Sequence, residues 1–254
     1  MSSNKQLDAM GDRLKHYERI ETEDRFIPNL PIYIRLDGRG FSRFTKPMER
    51  PYDKRMSDLM IATTKYLHKE FNAQFSFCQS DEINLIINNT YESPCIFEGK
   101  KQKLISTLAA SCTAFFNANL YNYFDDFIEQ LKDYPTFDCR AFNLPNVDEV
   151  SNSILWRYLD ASKNSKQMLG HHHFSHKELH CLRGNKIVDK LLVEKNIDWN
   201  TYPEFFKNGT LIKKFTINKG TEEEPIIRHE IRELTLEQPF YLYSHDERKD
   251  IIHG

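Results

Sequence analysis

The order of patterned segments predicts an α+β protein: an antiparallel sheet on the split βαβ plan with both helices on one face, plus a helical and hairpin C-terminal elaboration. Three observations carry that expectation. Residues 31–36, 74–78, 83–87 and 137–142 form apolar runs rich in the β-branched and aromatic residues that suit a pleated, half-buried surface. Helical patterns separate the first run from the second and the third from the fourth. Only Gln79-Ser80-Asp81-Glu82 parts the second run from the third, which is hairpin length and puts Asp81 and Glu82 at a hairpin tip.

Taken in order, Met10, Leu14 and Tyr17 mark a short amphipathic helix over 8–20. The strand at 31–36 runs into Asp37-Gly38-Arg39-Gly40, a tight, flexible turn that leaves a carboxylate at the strand's end. Asp53 is placed to cap the next helix, where Met56, Leu59, Met60, Thr63 and Leu67 fall at helical spacing. A second helix opens at Lys100 and runs to about Tyr123, and its small-residue middle, Ala109-Ala110-Ser111-Cys112, allows close packing on a sheet. Past Pro145, helices are expected over 152–159 and 175–194, then a hairpin from 211–215 and 227–236. The expected division is a palm-like core over 1–145 and an extension over 146–254 packed on the same core.

With 254 residues, 39% of them hydrophobic and 18 Phe and 12 Tyr among them, the chain can bury a sizeable core and is not a disordered one. The formal net charge of −2 means that any nucleic acid must be held by a local basic patch. The five cysteines are odd in number, lack Cys-x-x-Cys spacing and read as buried, reduced thiols of a cytoplasmic protein. No apolar run approaches membrane-spanning length, and the charged start to the chain is unlike a signal peptide.

The chemistry is expected at the strand ends. A carboxylate at Asp37 and a pair at Asp81 and Glu82, on neighbouring strands, can share a Mg²⁺ site, because Mg²⁺ prefers hard oxygen ligands. Two metals held there would activate an attacking hydroxyl and neutralise a leaving phosphate, which makes this stretch a nucleotidyl-transfer palm. Taken singly, each motif also reads as ordinary turn chemistry; the pairing favours the site. Arg35, Arg39, Arg43, Arg50, Lys100, Lys101 and Lys103 crowd the same region and suit a triphosphate. Lys103 stands out, since a cation in a helix's first turn gains from a nearby anion. His172, His176 and His180 follow i, i+4, i+8 spacing, but no carboxylate pattern completes a metal set, and a polar loop and helix start is the default. Trp156-Arg157-Tyr158-Leu159-Asp160 reads equally as an amphipathic turn or a nucleic-acid surface.

On these residues the sequence resembles the tRNA-His guanylyltransferase family, which adds nucleotides in the 3′-to-5′ direction. Arg35-Leu36-Asp37-Gly38-Arg39-Gly40-Phe41 is similar to its first metal motif and Gln79-Ser80-Asp81-Glu82 to its second. Phe137-Asp138-Cys139-Arg140, Trp156-Arg157 with Asp160, and Lys207-Asn208-Gly209-Thr210 follow in family order. The resemblance implies a polymerase-palm-like (ferredoxin-like) fold and two Mg²⁺ per active site. Asp37, the Gly38 carbonyl and Asp81 would be metal ligands, and Asp37, Asp81 and Glu82 catalytic. Residues Asp37, Gly38, Arg39, Gly40, Phe41, Ser42, Arg50, Asp53, Ser80, Asp81 and Lys103 would bind nucleotide. Arg140, Trp156, Arg157 and Asn164 would contact RNA. It further implies ATP and GTP or another NTP as substrates, tRNA as partner, a homotetramer and a cytoplasmic or mitochondrial location.

One departure bears on the reaction. Family members dedicated to tRNA-His carry His-Ile-Asn-Asn where this chain reads Ser162-Lys163-Asn164-Ser165. That is similar to the guanylyltransferase-like branch, which repairs truncated tRNA 5′ ends by copying a template; the alternative is G−1 addition to tRNA-His. Two rivals remain. A palm-fold nucleotide cyclase or dinucleotide synthetase would need no RNA. A non-catalytic RNA-binding module would present Phe75 and Phe77 as an exposed aromatic platform.

Overall fold

The computed structural model describes residues 2–90, 95–125, 134–221 and 226–254. Six strands form one antiparallel sheet: β1 (Ile32–Arg39), β2 (Phe75–Gln79), β3 (Glu82–Ile87), β4 (Thr136–Asn143), β5 (Thr210–Asn218) and β6 (Ile227–Glu233). Their order across the sheet is β4-β1-β3-β2-β5-β6. Helix α3 (Lys54–Glu70) links β1 to β2, and α4 (Lys101–Asn119) links β3 to β4. Strand β5 bonds to β2, with Phe75 opposite Lys213, so residues beyond 146 lengthen the same sheet.

Alternation along β1 sorts the two faces. Ile32, Ile34 and Leu36 join Leu59, Leu67, Leu108 and Phe116 in a core beneath α3 and α4. Tyr33, Phe75 and Phe77 point to the other face, where α5 (Val147–His173) covers them with Ile154, Tyr158 and Ala161. Phe75 and Phe77 are fully buried, which removes the exposed aromatic platform that an RNA-binding module would need.

Several boundaries differ from the sequence reading. Strand β1 continues through Asp37 and Gly38 to Arg39, because β4 pairs with it as far as Arg39 opposite Thr136. The turn comes at Gly40, in the left-handed region at φ 77°. It leads into the one-turn helix α2 (Phe41–Phe44). The hairpin loop is two residues, Ser80 and Asp81, with Ser80 also left-handed at φ 48°. Glu82 is therefore the first residue of β3, not a tip residue.

Helix α1 (Ser2–Thr22) is longer than expected and leaves Met10, Leu14 and Tyr17 exposed. Helix α5 spans 27 residues, three times the expected eight-residue piece in round terms, started by Asn146 accepting from the Glu149 N–H at 2.9 Å. It passes through Gly170 because α6 (Asn185–Lys195) packs there: a Cβ would lie 2.6 Å from Ile187. The helix expected over 175–194 is confined to α6, and the preceding residues are turns. After α7 (Glu204–Lys207), Gly209 at φ 80° brings the chain against Phe77 and into β5, and α8 (His245–His253) closes the fold. Cys78, Cys95 and Cys112 are buried free thiols, but Cys181 is exposed.

Candidate active site

Asp37 and Asp81 meet where β1 ends beside the β2–β3 turn. The Gly38 N–H donates to the Asp81 carbonyl at 3.0 Å, and Asp37 sits directly opposite Glu82 in the β1–β3 ladder. Gly38 is required here by a close approach: a Cβ would fall 2.3 Å from the Phe41 ring. That ring packs against Phe137 at 5.0 Å and Phe116 at 5.5 Å, fixing the strand end onto α4 and β4. The Phe41 side chain is buried, so its backbone is the part left for a nucleotide.

Like charges directly across a ladder repel. Burial, then the Glu82 and Asp138 carboxylates, raise the Asp37 carboxyl above its ordinary value, with Arg140 and Arg35 opposing. Burial pushes Asp81 up to about 6, and the Asp37 and Glu82 carboxylates add to the push. Its own backbone amide and the Ser80 hydroxyl pull the other way. A cation between Asp37 and Asp81 would relieve both.

Among the described residues no three His, Cys, Asp or Glu side chains converge as a ready metal set. Two carboxylates with the Gly38 carbonyl nonetheless fit Mg²⁺, which is usually held by one or two carboxylates together with substrate phosphates and water. The histidine cluster supplies no alternative. Helix α5 ends at His173, so His172, His176 and His180 do not share a helix face, and their expected spacing has no geometric meaning.

The carboxylates open onto a cavity of about 470 Å³, within the usual size of a small-ligand site. One wall is α5, through Ala161, Asn164, Ser165 and Met168. The lining also includes Tyr52, Phe205 and Phe206, with the Tyr52 and Phe206 rings 4.7 Å apart and offering a stacking surface. Arg50 and Asp53, expected to bind nucleotide, line the cavity. Asp53 works first as the cap of α3, accepting from the Arg55 N–H at 3.0 Å and its guanidinium at 2.8 Å. Burial would raise its carboxyl, but the Arg55 and Glu49 hydrogen bonds outweigh that and hold it low.

Arg39, Ser42 and Ser80 are exposed near the same strand ends. Arg35 and Arg140 are cross-strand partners on the half of the sheet next to the β4 edge. Arg140 leans on Asp138 at 3.5 Å, and among the described residues no carboxylate pairs with Arg35. Trp156 is exposed, as an RNA contact requires. Arg157 is not: it is 7% exposed and its guanidinium grips Glu82 at 2.7 and 2.6 Å, so it is corrected from an RNA contact to an internal ion pair.

Lys103, expected to bind nucleotide, is not brought into the cavity by the fold. The start of α4 lies by Phe26 and Asn89, at the opposite end of β1 from Asp37, and Lys103 rests over the Phe97 ring at 4.8 Å. Asn164, expected to contact RNA, lines the cavity, whereas Tyr52, Phe206, Ala161 and Met168 carried no site expectation. Residues 161, 164, 165 and 168 follow i, i+3, i+4, i+7 spacing, a helical signal that extending α5 past Leu159 would have exposed.

Comparison with known proteins adds the following. The family model described as tRNAHis guanylyltransferase matches residues 11–145. The curated tRNA(His) guanylyltransferase of Neurospora crassa is 30% identical over 79% of this chain and 72% of its own length. A bacterial tRNA(His) guanylyltransferase-like protein solved in complex with ATP superposes with a TM-score of 0.80 at 32% identity, covering 96% of this chain and 99% of that one. A structure of such a protein in complex with GTP gives 0.78 at 29%, covering 97% and 100%.

Proposed function

We infer the reaction from one premise: this chain belongs to the tRNAHis guanylyltransferase family and is a nucleotidyltransferase that acts on tRNA. On that premise it is a metal-dependent enzyme that extends truncated tRNA 5′ ends in the 3′-to-5′ direction by copying the opposite strand. The β4-β1-β3-β2 order, with α3 and α4 on one face, supports reading the first four strands as a polymerase-like palm. The ATP and GTP complexes of the bacterial relatives support nucleoside triphosphates as substrates.

Two phosphoryl transfers make up the reaction. An oxygen of the RNA 5′-phosphate attacks the α-phosphorus of ATP, and pyrophosphate leaves. The 3′-hydroxyl of the incoming nucleotide then attacks the adenylylated 5′-phosphate, and AMP leaves. Asp37, Asp81 and the Gly38 carbonyl would hold two Mg²⁺, which supply Lewis-acid stabilisation of phosphoryl charge. Tyr52 and Phe206 would stack a base in the cavity, and Arg35 with Arg140 would take phosphate. Two guanidinium groups directly across a ladder disfavour one another, and an anion between them reverses that cost.

Template copying is carried by one observation: Asn164 and Ser165, within the Ser162–Lys163–Asn164–Ser165 departure, line the same cavity as the Asp37 and Asp81 carboxylates and the Tyr52 and Phe206 rings. Phosphate contacts hold any nucleotide equally, so pairing with the opposite strand must supply base choice. The test uses 5′-phosphorylated tRNAs lacking their first nucleotide, with each of four bases opposite the gap, incubated with Mg²⁺, ATP and labelled nucleotides. The added nucleotide should follow the template base in every case. Addition of G whatever the template would restore G−1 addition, and a product formed from nucleotide alone would favour a cyclase.

A further inference from the structure

Glu82 lies between the two proposed metal ligands, adjacent to Asp81 in sequence and opposite Asp37 in the ladder, yet its carboxylate is already fully engaged. Oxygen Oε1 accepts from Arg157 Nε at 2.7 Å and from Asn84 Nδ2 at 2.8 Å, and Oε2 accepts from Arg157 Nη2 at 2.6 Å. Asn84 in turn accepts from the Tyr33 hydroxyl, and Arg157 also reaches Asp160 at 3.2 Å. Glu82 and Arg157 are both about nine-tenths buried. A bidentate Arg–carboxylate pair fixes orientation as well as charge. Burial of this kind is a weak source of net stability, so the pair is better explained by the geometry it imposes.

That geometry joins two parts of the cavity. Glu82 belongs to the strand that follows the Asp81 turn, and Arg157 lies one turn before Ala161 on the helix that supplies the α5 wall of the cavity. We propose that Glu82 and Arg157 form a positioning clamp: Glu82 is not a metal ligand, and the pair sets the α5 wall, with Asn164 and Ser165, against the Asp37–Asp81 metal site. This rests on the nucleotidyl-transfer reading for what the site does, and on the hydrogen-bond geometry for the clamp. Locking Glu82 onto α5 also keeps it from swinging towards a cation at Asp37 and Asp81.

The experiment is a double-mutant cycle on the full chain with Glu82→Gln, Arg157→Gln and both together, plus Asp81→Asn and Arg157→Lys. Two quantities are read: Mn²⁺ affinity by electron paramagnetic resonance without RNA or nucleotide, and kcat and KM for nucleotide addition. The clamp predicts that Glu82→Gln keeps Mn²⁺ affinity within about threefold of the parent, whereas Asp81→Asn loses it. Each single Gln variant should raise KM or lower kcat by on the order of 100-fold, and the double variant should lose clearly less than the product of the singles, since groups in one contact are non-additive. Arg157→Lys, which keeps charge without the fork, should recover part of the loss. Loss of Mn²⁺ affinity in Glu82→Gln equal to that in Asp81→Asn, or strictly multiplicative singles, would overturn the clamp. A parent inactive on every RNA would strike the reaction reading alone, leaving the Mn²⁺ values to decide the clamp, and a parent that binds no Mn²⁺ would strike both.

Discussion

The two ends of β1 carry charge in opposite ways. At the far end, the first turn of α4 holds cations that the fold already satisfies: Lys101 pairs with Asp24 at 3.0 Å, and Lys103 lies over the Phe97 ring. At the near end, Asp37 and Asp81 are partly buried beside one another and beside Glu82, and of these three only Glu82 forms an ion pair with an arginine among the described residues. The difference separates scaffold from site. Charge with a partner in its own chain needs no ligand, whereas carboxylates held in mutual repulsion are a cost that a bound cation removes.

The largest effect expected from this contrast is at the near end. Asp37→Ala and Asp81→Ala should each cut nucleotide addition by on the order of 10³-fold or more, several kcal/mol of transition-state stabilisation. Melting curves should show both variants folded, because neither carboxylate is part of the core. Near-parental turnover in either would dissolve the contrast.

A second effect is pH-dependent. The folded Asp81 carboxyl keeps its proton up to about 6, against an ordinary 3.8, so the folded state binds more protons than the unfolded chain between those values. Stability contributed by this group therefore falls as pH rises through that window and stays low above it. Mg²⁺ competes with the same proton. The Mg²⁺-induced rise in Tm should be largest at pH 7 to 8 and fade towards pH 5, which a melting series across pH checks.

The smallest effect is expected at the far end. Lys103→Ala should shift stability by no more than about 0.5 kcal/mol, the usual range for an exposed position. Its nucleotide KM should change less than about threefold; a tenfold rise would return Lys103 to the site and show that the cation is recruited from beyond its own cavity.

Much of the near end was legible in the sequence because it is local. The alternation that makes β1, the Asp-Gly pair and the short gap before Ile83 each depend on neighbours within a few positions, and together they place Asp37 and Asp81. The exact strand limits were less legible, since β1 runs on past Asp37 to Arg39 through pairing with a distant strand, Gly38 opposite Phe137 and Arg39 opposite Thr136 in β4. Arg157 shows what remained hidden. A Trp-Arg pair on a helix reads as surface, and its burial depends on Glu82, 75 positions away. Lys103 is hidden for a similar reason: the anion that its place in the helix favours is replaced by the Phe97 ring from the preceding turn. Residues 161–168 form the cavity wall because α5 does not stop at Leu159, and their i, i+3, i+4, i+7 spacing gains meaning only once the helix is carried past that point.

The measurement that bears most directly on the near end as a metal-dependent active site compares parent and Asp81→Asn at pH 7.5, with and without Mg²⁺, in melting and in nucleotide addition. Removing a charge that the fold holds at a cost should raise the metal-free Tm, abolish the Mg²⁺-induced shift and abolish addition together. A variant with lowered Tm, an intact Mg²⁺ shift and retained addition would contradict the account.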